Sequence, residues 1–248
     1  MVEGRRELEH CIAAGFKVRT VFVCEEIAGT EWLSSVPLRG PVRANTPESH
    51  SAPAIITIPE ALYRKIAYRE GTEGIIAEVE MKSRGLEDLK LPENPLVVVL
   101  EAVEKPGNLG AVLRTADAAG VDAVIVADPL TDLYNPNLIR ASIGAIFTVP
   151  TVAAPSADVI SWLKANGIRI LTAQLQDSSL YYDVDMKCGT AIVMGTESTG
   201  LTQPWRDAAD AHIRIPMLGR LDSLNVSVSA SILIYEAVRQ REALKAIR

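Results

Sequence analysis

Unbroken apolar runs, separated by segments with helical periodicity, are the feature that most constrains how this chain can fold. The run Leu96–Leu100 (LVVVL) has no polar residue, which is typical of a strand buried on both faces of a parallel sheet. Similar runs follow at 122–127, 168–172 and 191–194. Because parallel strands need a crossover between them, this alternation predicts an α/β fold with a mainly parallel sheet and right-handed crossovers.

Capping residues mark the helices between these strands. The predicted helices cover 109–119, 135–147, 157–166 and a long C-terminal segment ending near Arg241. Asn108 is predicted to cap the first of them, because its side chain can accept from a free first-turn amide. Ser223 is predicted to cap the last in the same way, after a short strand at Ile213 and Ile215.

Residues 1–81 predict a separate, small α/β domain. Its predicted elements are a helix over 4–15, a strand over 18–24, a short strand at Val42, a helix over 59–68 and a strand over 74–79. Residues 82–95 are charged and have little periodicity, so they are interpreted as a linker to the second domain, 96–248.

Composition excludes several classes of protein. Of the 248 residues 48% are hydrophobic, yet no window approaches the roughly 18 unbroken apolar residues of a membrane span. The three cysteines have no metal or redox spacing and the three histidines are scattered, so we expect no metal and free thiols in a reducing cytoplasm. The net charge of −6 restricts any polyanion site to a local patch.

The loop after the first buried strand points away from common nucleotide-binding enzymes. EAVEKPGNLG contains neither GxGxxG nor GxxxxGK[ST], which counts against a nicotinamide dehydrogenase, an NTPase and a Rossmann-type methyltransferase. What it offers instead is Asn108, followed by Arg114 in an otherwise small and apolar helix. A local ion pair between Arg114 and Asp117 is the structural alternative to a functional role.

Two later segments also combine glycine turns with polar side chains. In IVMGTESTGL, a buried strand ends at Gly195 and Glu197 lies just before a helix, where the helix dipole alone can favour a carboxylate. In the C-terminal segment, Ser223, Ser227 and Ser231 recur every four residues. This stripe of small side chains lets a backbone or a flat ligand approach closely, although a tightly packed core helix explains it too.

Three motifs of this sequence together resemble a known family. NLGAVLRTA, IVMGTESTGL and IPMLGRLDSLNVSVSA resemble, in order, the motifs of the SpoU (TrmH-type) RNA 2′-O-methyltransferases, a branch of the SPOUT superfamily. This chain departs from the usual pattern with Lys-Pro-Gly before Asn108 and with Ser198 in place of a frequent glycine. More loosely, GRRELEHCIAAG and EGIIAEVE resemble the small substrate-binding domain of such enzymes, which is similar to a ribosomal-protein RNA-binding fold.

The resemblance implies a deep trefoil knot in the C-terminal SPOUT domain, S-adenosylmethionine bound there, and a homodimer through the same domain. The catalytic residues that it implies are Asn108, Arg114, Glu197, Ser223 and Asn225. The cofactor-binding residues that it implies are Gly195, Ile215, Met217, Leu218, Leu224 and Ser229.

The implied reaction is methylation of a ribose 2′-hydroxyl in structured RNA, with ribosomal RNA placed ahead of transfer RNA. Arg114 would act either as a base, if its surroundings force it neutral, or as a cation that stabilises the developing alkoxide. The alternatives that remain are a transfer-RNA enzyme and a catalytically silent RNA-binding or ribosome-assembly factor.

Overall fold

The computed structural model describes residues 1–29, 52–68, 71, 73–196 and 198–245, with side chains to 242. The described strands are β1 Val2–Glu3, β2 Val18–Val23, β3 Ala54–Thr57, β4 Ile75–Val79, β5 Leu96–Glu101, β6 Ala123–Ala127, β7 Thr151–Ala154, β8 Arg169–Ala173, β9 Ser179–Leu180, β10 Thr190–Met194 and β11 Ala211–Arg214. The described helices are α1 Arg5–Ala13, α2 Glu25–Ala28, α3 Glu60–Ile66, α4 Pro106–Ala119, α5 Pro136–Ala141, α6 Ala145–Thr148, α7 Ser156–Ala165, α8 Gln203–Ala208 and α9 Val226–Lys245. The predicted strand at Val42 lies outside the described residues.

The second half forms a parallel sheet in the order β7-β6-β5-β10-β8-β11-β9. Every registered pair in it is parallel, so the predicted α/β fold is confirmed. Its central strands are buried on both faces because they consist almost entirely of Val, Ile, Leu and Ala. One face carries α4, α5, α6 and α9, and the other carries α7 and α8.

The C-terminal strands are interleaved with earlier ones. Strand β10 lies between β5 and β8, and β11 lies between β8 and β9, although β8 and β9 both precede them in the chain. This order is compatible with a knotted path, and the trefoil knot stays a prediction.

Three differences between the predicted and the observed helices affect the number of helices or their caps. Helix α4 begins at Pro106, which suits the first helical position, so Asn108 lies inside the first turn instead of capping it. The segment predicted as one helix over 135–147 is two, because Ile143 (φ 53°) and Gly144 (φ 81°) adopt left-handed conformations.

The third difference concerns the C-terminal helix. Helix α9 begins at Val226, not after Ser223, and Asn225 caps it by accepting from Ser227 N at 3.0 Å. Ser223 instead donates to Asp222 within an exposed turn. The cap prediction for Ser223 was therefore wrong, because the polar turn extends two residues further than expected.

The small domain is a four-stranded sheet in the order β1-β4-β2-β3, and it packs directly against the larger one. Phe16 makes edge-to-face contacts with Tyr134 and Phe147, and Lys82 Nζ lies 4.3 Å from the centre of the Phe16 ring. His10 Nδ1 also donates to Ile143 O at 3.0 Å. One apolar core therefore runs through both halves of the described chain.

Arg241 attaches the C-terminal part of α9 to the start of β5 and to the segment before β10. The Arg241 guanidinium donates to the carbonyl oxygens of Asn94, Pro95, Met186 and Cys188 at 2.8–3.0 Å. Burial lowers the pKa of Arg241 from its ordinary value. These bonds tie the last helix to the start of β5, which keeps the helix's first turns close to the sheet's carboxyl edge.

Candidate functional site

Two cavities open at the carboxyl edge of the parallel sheet, where open α/β sheets bind their ligands. The smaller cavity has a volume of about 150 Å³ and lies beyond β8 and β11. It is lined by Ala173, Gln174, Leu175, Ile213, Arg214, Ile215, Met217, Asp222, Ser223, Leu224, Ser229 and Leu233. Its walls are mainly apolar, with a few amide, hydroxyl and charged groups.

The larger cavity has a volume of about 330 Å³ and lies beyond β5 and β10. It is lined by Ala102, Val103, Glu104, Lys105, Asn108, Thr196, Ser198 and Val226. One wall is the loop between β5 and α4, and the facing wall is the loop after β10. Asn108 projects from the first turn of α4 into this space.

Asn225 connects the two cavities. Its Nδ2 donates to Asn108 Oδ1 at 3.1 Å, and its Oδ1 accepts from the Ser227 backbone and hydroxyl. The preceding residue, Leu224, lines the smaller cavity, and the following one, Val226, lines the larger. The chain therefore passes between the two cavities at Asn225, which brings two predicted catalytic amides together.

The small-residue stripe of α9 brings that helix against α4. Ser231 Oγ lies 3.0 Å from Thr115 Oγ1, and Ser231 also donates to Ser227 O. Ala230 and Ile234 are completely buried beside it. The small residues of α9 therefore allow close helix packing, which was the structural alternative to a ligand-binding role. The first turn of α9 nevertheless reaches the site.

Gly195 has no room for a side chain. A Cβ at this position would lie less than 3 Å from the backbone of Gly200 and 2.5 Å from Leu201 N. The loop after β10 therefore folds back on the strand end, and it does so only because residue 195 is a glycine.

Arg114 is exposed on α4 and lines neither cavity. Among the described residues it has no hydrogen-bond or ion-pair partner, and Asp117 accepts from Thr148 Oγ1 at 2.9 Å instead. The local Arg114–Asp117 pair is thus not formed. Glu197 lies outside the described residues.

The predicted cofactor residues divide into two groups. Ile215, Met217, Leu224 and Ser229 all line the smaller cavity, together with the predicted catalytic residue Ser223. Leu218 is 96% exposed and lies outside the cavity lining. Gly195 also lies outside it, beside the larger cavity's Thr196.

One wall of the smaller cavity is formed by residues that were not predicted from the sequence, Ala173, Gln174 and Leu175. These residues follow β8 and belong to none of the three motifs. The available signal was their position, because the carboxyl ends of parallel strands meet at one edge of the sheet. Leu233 was also missed, although it lies one helical turn beyond Ser229.

The smaller cavity suits S-adenosylmethionine in its chemistry. Ile213, Ile215 and Leu233 offer apolar surface to a flat base, and Gln174 and Ser229 offer hydrogen-bonding groups at its edges.

The described residues contain no group of three or more His, Cys, Asp or Glu side chains placed to hold a metal. The described helices include none long and apolar enough to cross a membrane.

Comparison with known proteins assigns both halves of the chain. Residues 95–235 match the model of the SpoU rRNA Methylase family, and residues 1–77 match the model of the MRM3-like substrate binding domain. Both matches agree with the resemblances drawn from the motifs.

Individual relatives match over almost the whole chain. A 23S rRNA (uridine(2479)-2′-O)-methyltransferase of Streptomyces viridochromogenes is 30% identical, covering 97% of this chain and 83% of the relative. A crystal structure of an RNA 2′-O ribose methyltransferase is 38% identical, with a TM-score of 0.79 and coverage of 97% and 88%. The SpoU methyltransferase AviRb from Streptomyces viridochromogenes, in complex with AdoMet, is 29% identical, with a TM-score of 0.84 and coverage of 97% and 89%.

These matches confirm, at the level of the family, the predictions of an RNA ribose methyltransferase and of S-adenosylmethionine as its cofactor. They rest on the whole length of the described fold, from the substrate-binding domain to helix α9. The chain belongs to the SpoU rRNA methylase family.

Proposed function

We propose that this protein transfers a methyl group from S-adenosylmethionine to a ribose 2′-hydroxyl of ribosomal RNA. Two relatives that match nearly the full chain, the leading domain included, are named as a 23S rRNA 2′-O-methyltransferase and an RNA 2′-O ribose methyltransferase. The 23S rRNA of the Streptomyces relative makes large-subunit RNA the first substrate to test.

The observation that carries the proposal is the position of Asn225 between two cavities. A methyl transfer needs a donor site and an acceptor site that meet at one point, with the reacting atoms about 3–3.5 Å apart. We assign the smaller cavity to the cofactor and the larger cavity to the target nucleotide. Leu224 and Val226, one on each side of Asn225, mark where the two meet.

The side chains at the meeting point can orient a ribose. When bound, S-adenosylmethionine supplies a methyl carbon activated by a sulfonium. Asn108 and Asn225, already bonded to each other, present amide groups that can hold the hydroxyls of the acceptor sugar. Ser223 lies on the cofactor side and Glu197 is proposed to complete the set.

Arg114 is proposed to act as a cation. Its side chain is exposed, so the guanidinium donors are open to a ligand. A charged guanidinium stabilises a developing alkoxide and an adjacent phosphate, whereas a base would have to be neutral. The long side chain has no restraining partner among the described residues, so it can turn towards bound RNA.

We propose domain boundaries of 1–81 and 96–248, with 82–95 as the connection. Residues 82–95 are not a flexible linker, because Leu86 is buried and Leu89 and Leu91 pack on the same apolar cluster. The first of these residues, Lys82, donates to Ala14 O at 2.8 Å. RNA bound by the small domain would therefore lie at a fixed distance from the reaction site.

A homodimer through the C-terminal domain is proposed as well. Val228, Ile232 and Tyr235 are spaced to lie on one side of α9, and Val228 and Tyr235 are 46% and 49% exposed. A second copy of the chain would cover this apolar stripe. Light scattering of the purified protein tests the expected twofold mass.

The proposed compartment is the cytoplasm. The protein's cysteines are free thiols, which suits a reducing compartment. Cys11 and Cys24 are buried, and burial raises the pKa of Cys11 to about 12. No metal is proposed as a partner.

The first experiment is cofactor binding by calorimetry, followed by transfer of a labelled methyl group to unmodified ribosomal RNA. Label at a ribose of 23S RNA is the expected result. Label on transfer RNA alone would identify the other substrate class. Absence of cofactor binding would leave the silent RNA-binding factor as the better description and would overturn the proposal.

Leu224→Arg is expected to weaken cofactor binding at least about tenfold, which corresponds to about 1.4 kcal/mol. Leu224 lines the smaller cavity, so the new guanidinium would place a charge against apolar walls. The matched control is Leu221→Arg, because Leu221 is in the same turn but 77% exposed and outside the cavity lining. Equal calorimetric affinity for the two variants would show that the cofactor binds elsewhere.

A further inference from the structure

A buried acidic side chain joins the two walls of the larger cavity. Glu101, the last residue of β5, is 2% exposed. Its Oε2 accepts from Thr202 N at 2.9 Å and its Oε1 accepts from Thr202 Oγ1 at 2.5 Å. Burial of a polar group costs free energy unless it is hydrogen-bonded, so both bonds are needed to hold the carboxyl group in place.

These bonds lie where the sheet's own hydrogen bonds end. Strands β5 and β10 pair up to Leu100 and Met194, and beyond that point their chains separate into the two cavity walls. The Glu101 side chain continues the connection past the last paired residues to Thr202, at the far end of the loop that follows β10. The Glu101–Thr202 tie therefore links the two segments whose neighbouring residues form the cavity walls, and it can hold those walls at a set spacing.

The backbone beside Glu101 is in an unusual conformation. Ala102 has a φ of 52°, a left-handed value that is unfavourable for a residue with a Cβ. Ala102 N donates to Ala127 O at 2.9 Å, so the sharp turn is held from the neighbouring strand. Strained backbone that is held by its surroundings concentrates at functional sites, and this turn directs the chain into the wall that ends at Asn108.

Helix α8, which Thr202 precedes, has a second and independent attachment. Trp205 Nε1 donates to Ser156 Oγ at 2.9 Å, and Ser156 donates in turn to Asp128 Oδ2 at 2.6 Å. This chain of bonds holds the same helix to β6 and α7 but touches neither wall of the larger cavity. It supplies a matched structural control.

We propose that Glu101 is a positioning residue, which sets the spacing between the two walls of the larger cavity through Thr202. It touches neither the cofactor nor the ribose. Its effect on the reaction is to keep Asn108, on one wall, at a fixed distance from Thr196 and Ser198 on the other. The inference rests on the proposed function in that the larger cavity takes the acceptor nucleotide.

The test compares kcat, KM for RNA and cofactor affinity in Glu101→Gln, Thr202→Val and Thr202→Ser. A glutamine keeps one acceptor oxygen and puts an NH2 group in place of the other, so the Thr202 hydroxyl must turn round to accept from it, and the walls can shift. We expect kcat to fall about 10- to 100-fold in Glu101→Gln, because a displacement near 1 Å at a reacting centre can cost that much. KM and cofactor affinity should change little, and Thr202→Ser, which keeps the hydroxyl, should stay close to wild type.

Two further comparisons separate positioning from general stability. The double variant Glu101→Gln/Thr202→Val should lose no more kcat than the more impaired single one, because both changes act on the same bond, the one between the Glu101 side chain and the Thr202 hydroxyl. Ser156→Ala, which breaks the second attachment of α8, should lower the melting temperature and leave kcat unchanged. If Ser156→Ala lowers kcat as much as Glu101→Gln, or if Glu101→Gln has wild-type kcat, the proposal is wrong.

Hydrogen exchange distinguishes failure of this inference from failure of the proposed function. Backbone amides at 102–105 and at 198–202 should both exchange faster in Glu101→Gln, whatever the substrate is. If both walls exchange faster in Glu101→Gln but the wild-type protein transfers no methyl group, the Glu101–Thr202 tie is supported and the proposed function is wrong. Unchanged exchange at either wall would overturn the inference itself.

Discussion

Replacing Arg114 by alanine is expected to lower the rate of methyl transfer about 10²–10³-fold, the usual cost of removing one group that stabilises developing negative charge. Cofactor affinity should be unchanged, because Arg114 does not line the smaller cavity. Single-turnover transfer of labelled methyl groups measures the first quantity and calorimetry the second. The fold should also survive, since the side chain is exposed and has no partner among the described residues.

Arg114→Lys tests whether charge alone is sufficient. A lysine keeps the positive charge but not the planar fork, so recovery of only part of the rate would indicate bidentate binding to the ribose or phosphate. Lys164→Ala is the matched control, because it removes an exposed cation from α7, on the opposite face of the sheet. Retention of full activity by Arg114→Ala would contradict the assigned role, and the Arg114 assignment from motif 1 would have to be withdrawn.

Gly195→Ala is the second change with a large expected effect. The added methyl group would lie within 3 Å of Gly200 and Leu201 backbone atoms, which cannot rotate away as a flexible side chain could. Overpacking of this kind costs about 1–3 kcal/mol. Since each kcal/mol shifts the melting temperature of a chain of this size by about 2–4 °C, we expect a fall of about 2–12 °C.

The same strain should appear in ligand binding. If the loop after β10, which forms one wall of the larger cavity, moves to make room for the methyl group, RNA binding must first restore its arrangement, which would weaken RNA affinity by about 5- to 150-fold. Gly107→Ala is the control, because a Cβ there meets nothing within 4 Å. An unchanged melting temperature together with unchanged affinity in Gly195→Ala would show that the loop can adjust at no cost.

The two sets of variants address different parts of the reaction. Arg114→Ala and Glu101→Gln should reduce the rate and keep the cofactor, whereas Leu224→Arg should reduce cofactor binding first and Gly195→Ala should reduce RNA binding first. This separation follows from the two cavities and from the position of Asn225 between them.

Local patterns were sufficient for the sheet and for most of the motifs. Runs such as Leu96–Leu100 are apolar at every position, and only a strand buried on both faces accommodates that pattern. The glycine at 195 was likewise identified from its place at a strand end. The sequence therefore determined the α/β class and the parallel sheet, because both depend on short-range periodicity, and the resemblance of its three motifs identified the family.

Tertiary structure decided what the motifs meet. The separation of Asn108 and Asn225 by 117 positions gives no sign of their hydrogen bond, and the wall at Gln174 and Leu175 belongs to no motif. The sequence could not distinguish Ser223 from Asn225 as the cap of α9, because either side chain can accept from first-turn amides. The observed cap is Asn225, and the helix that it begins packs on α4. Strand order, cavity walls and the Glu101–Thr202 tie arise from contacts between distant segments, which no local pattern encodes.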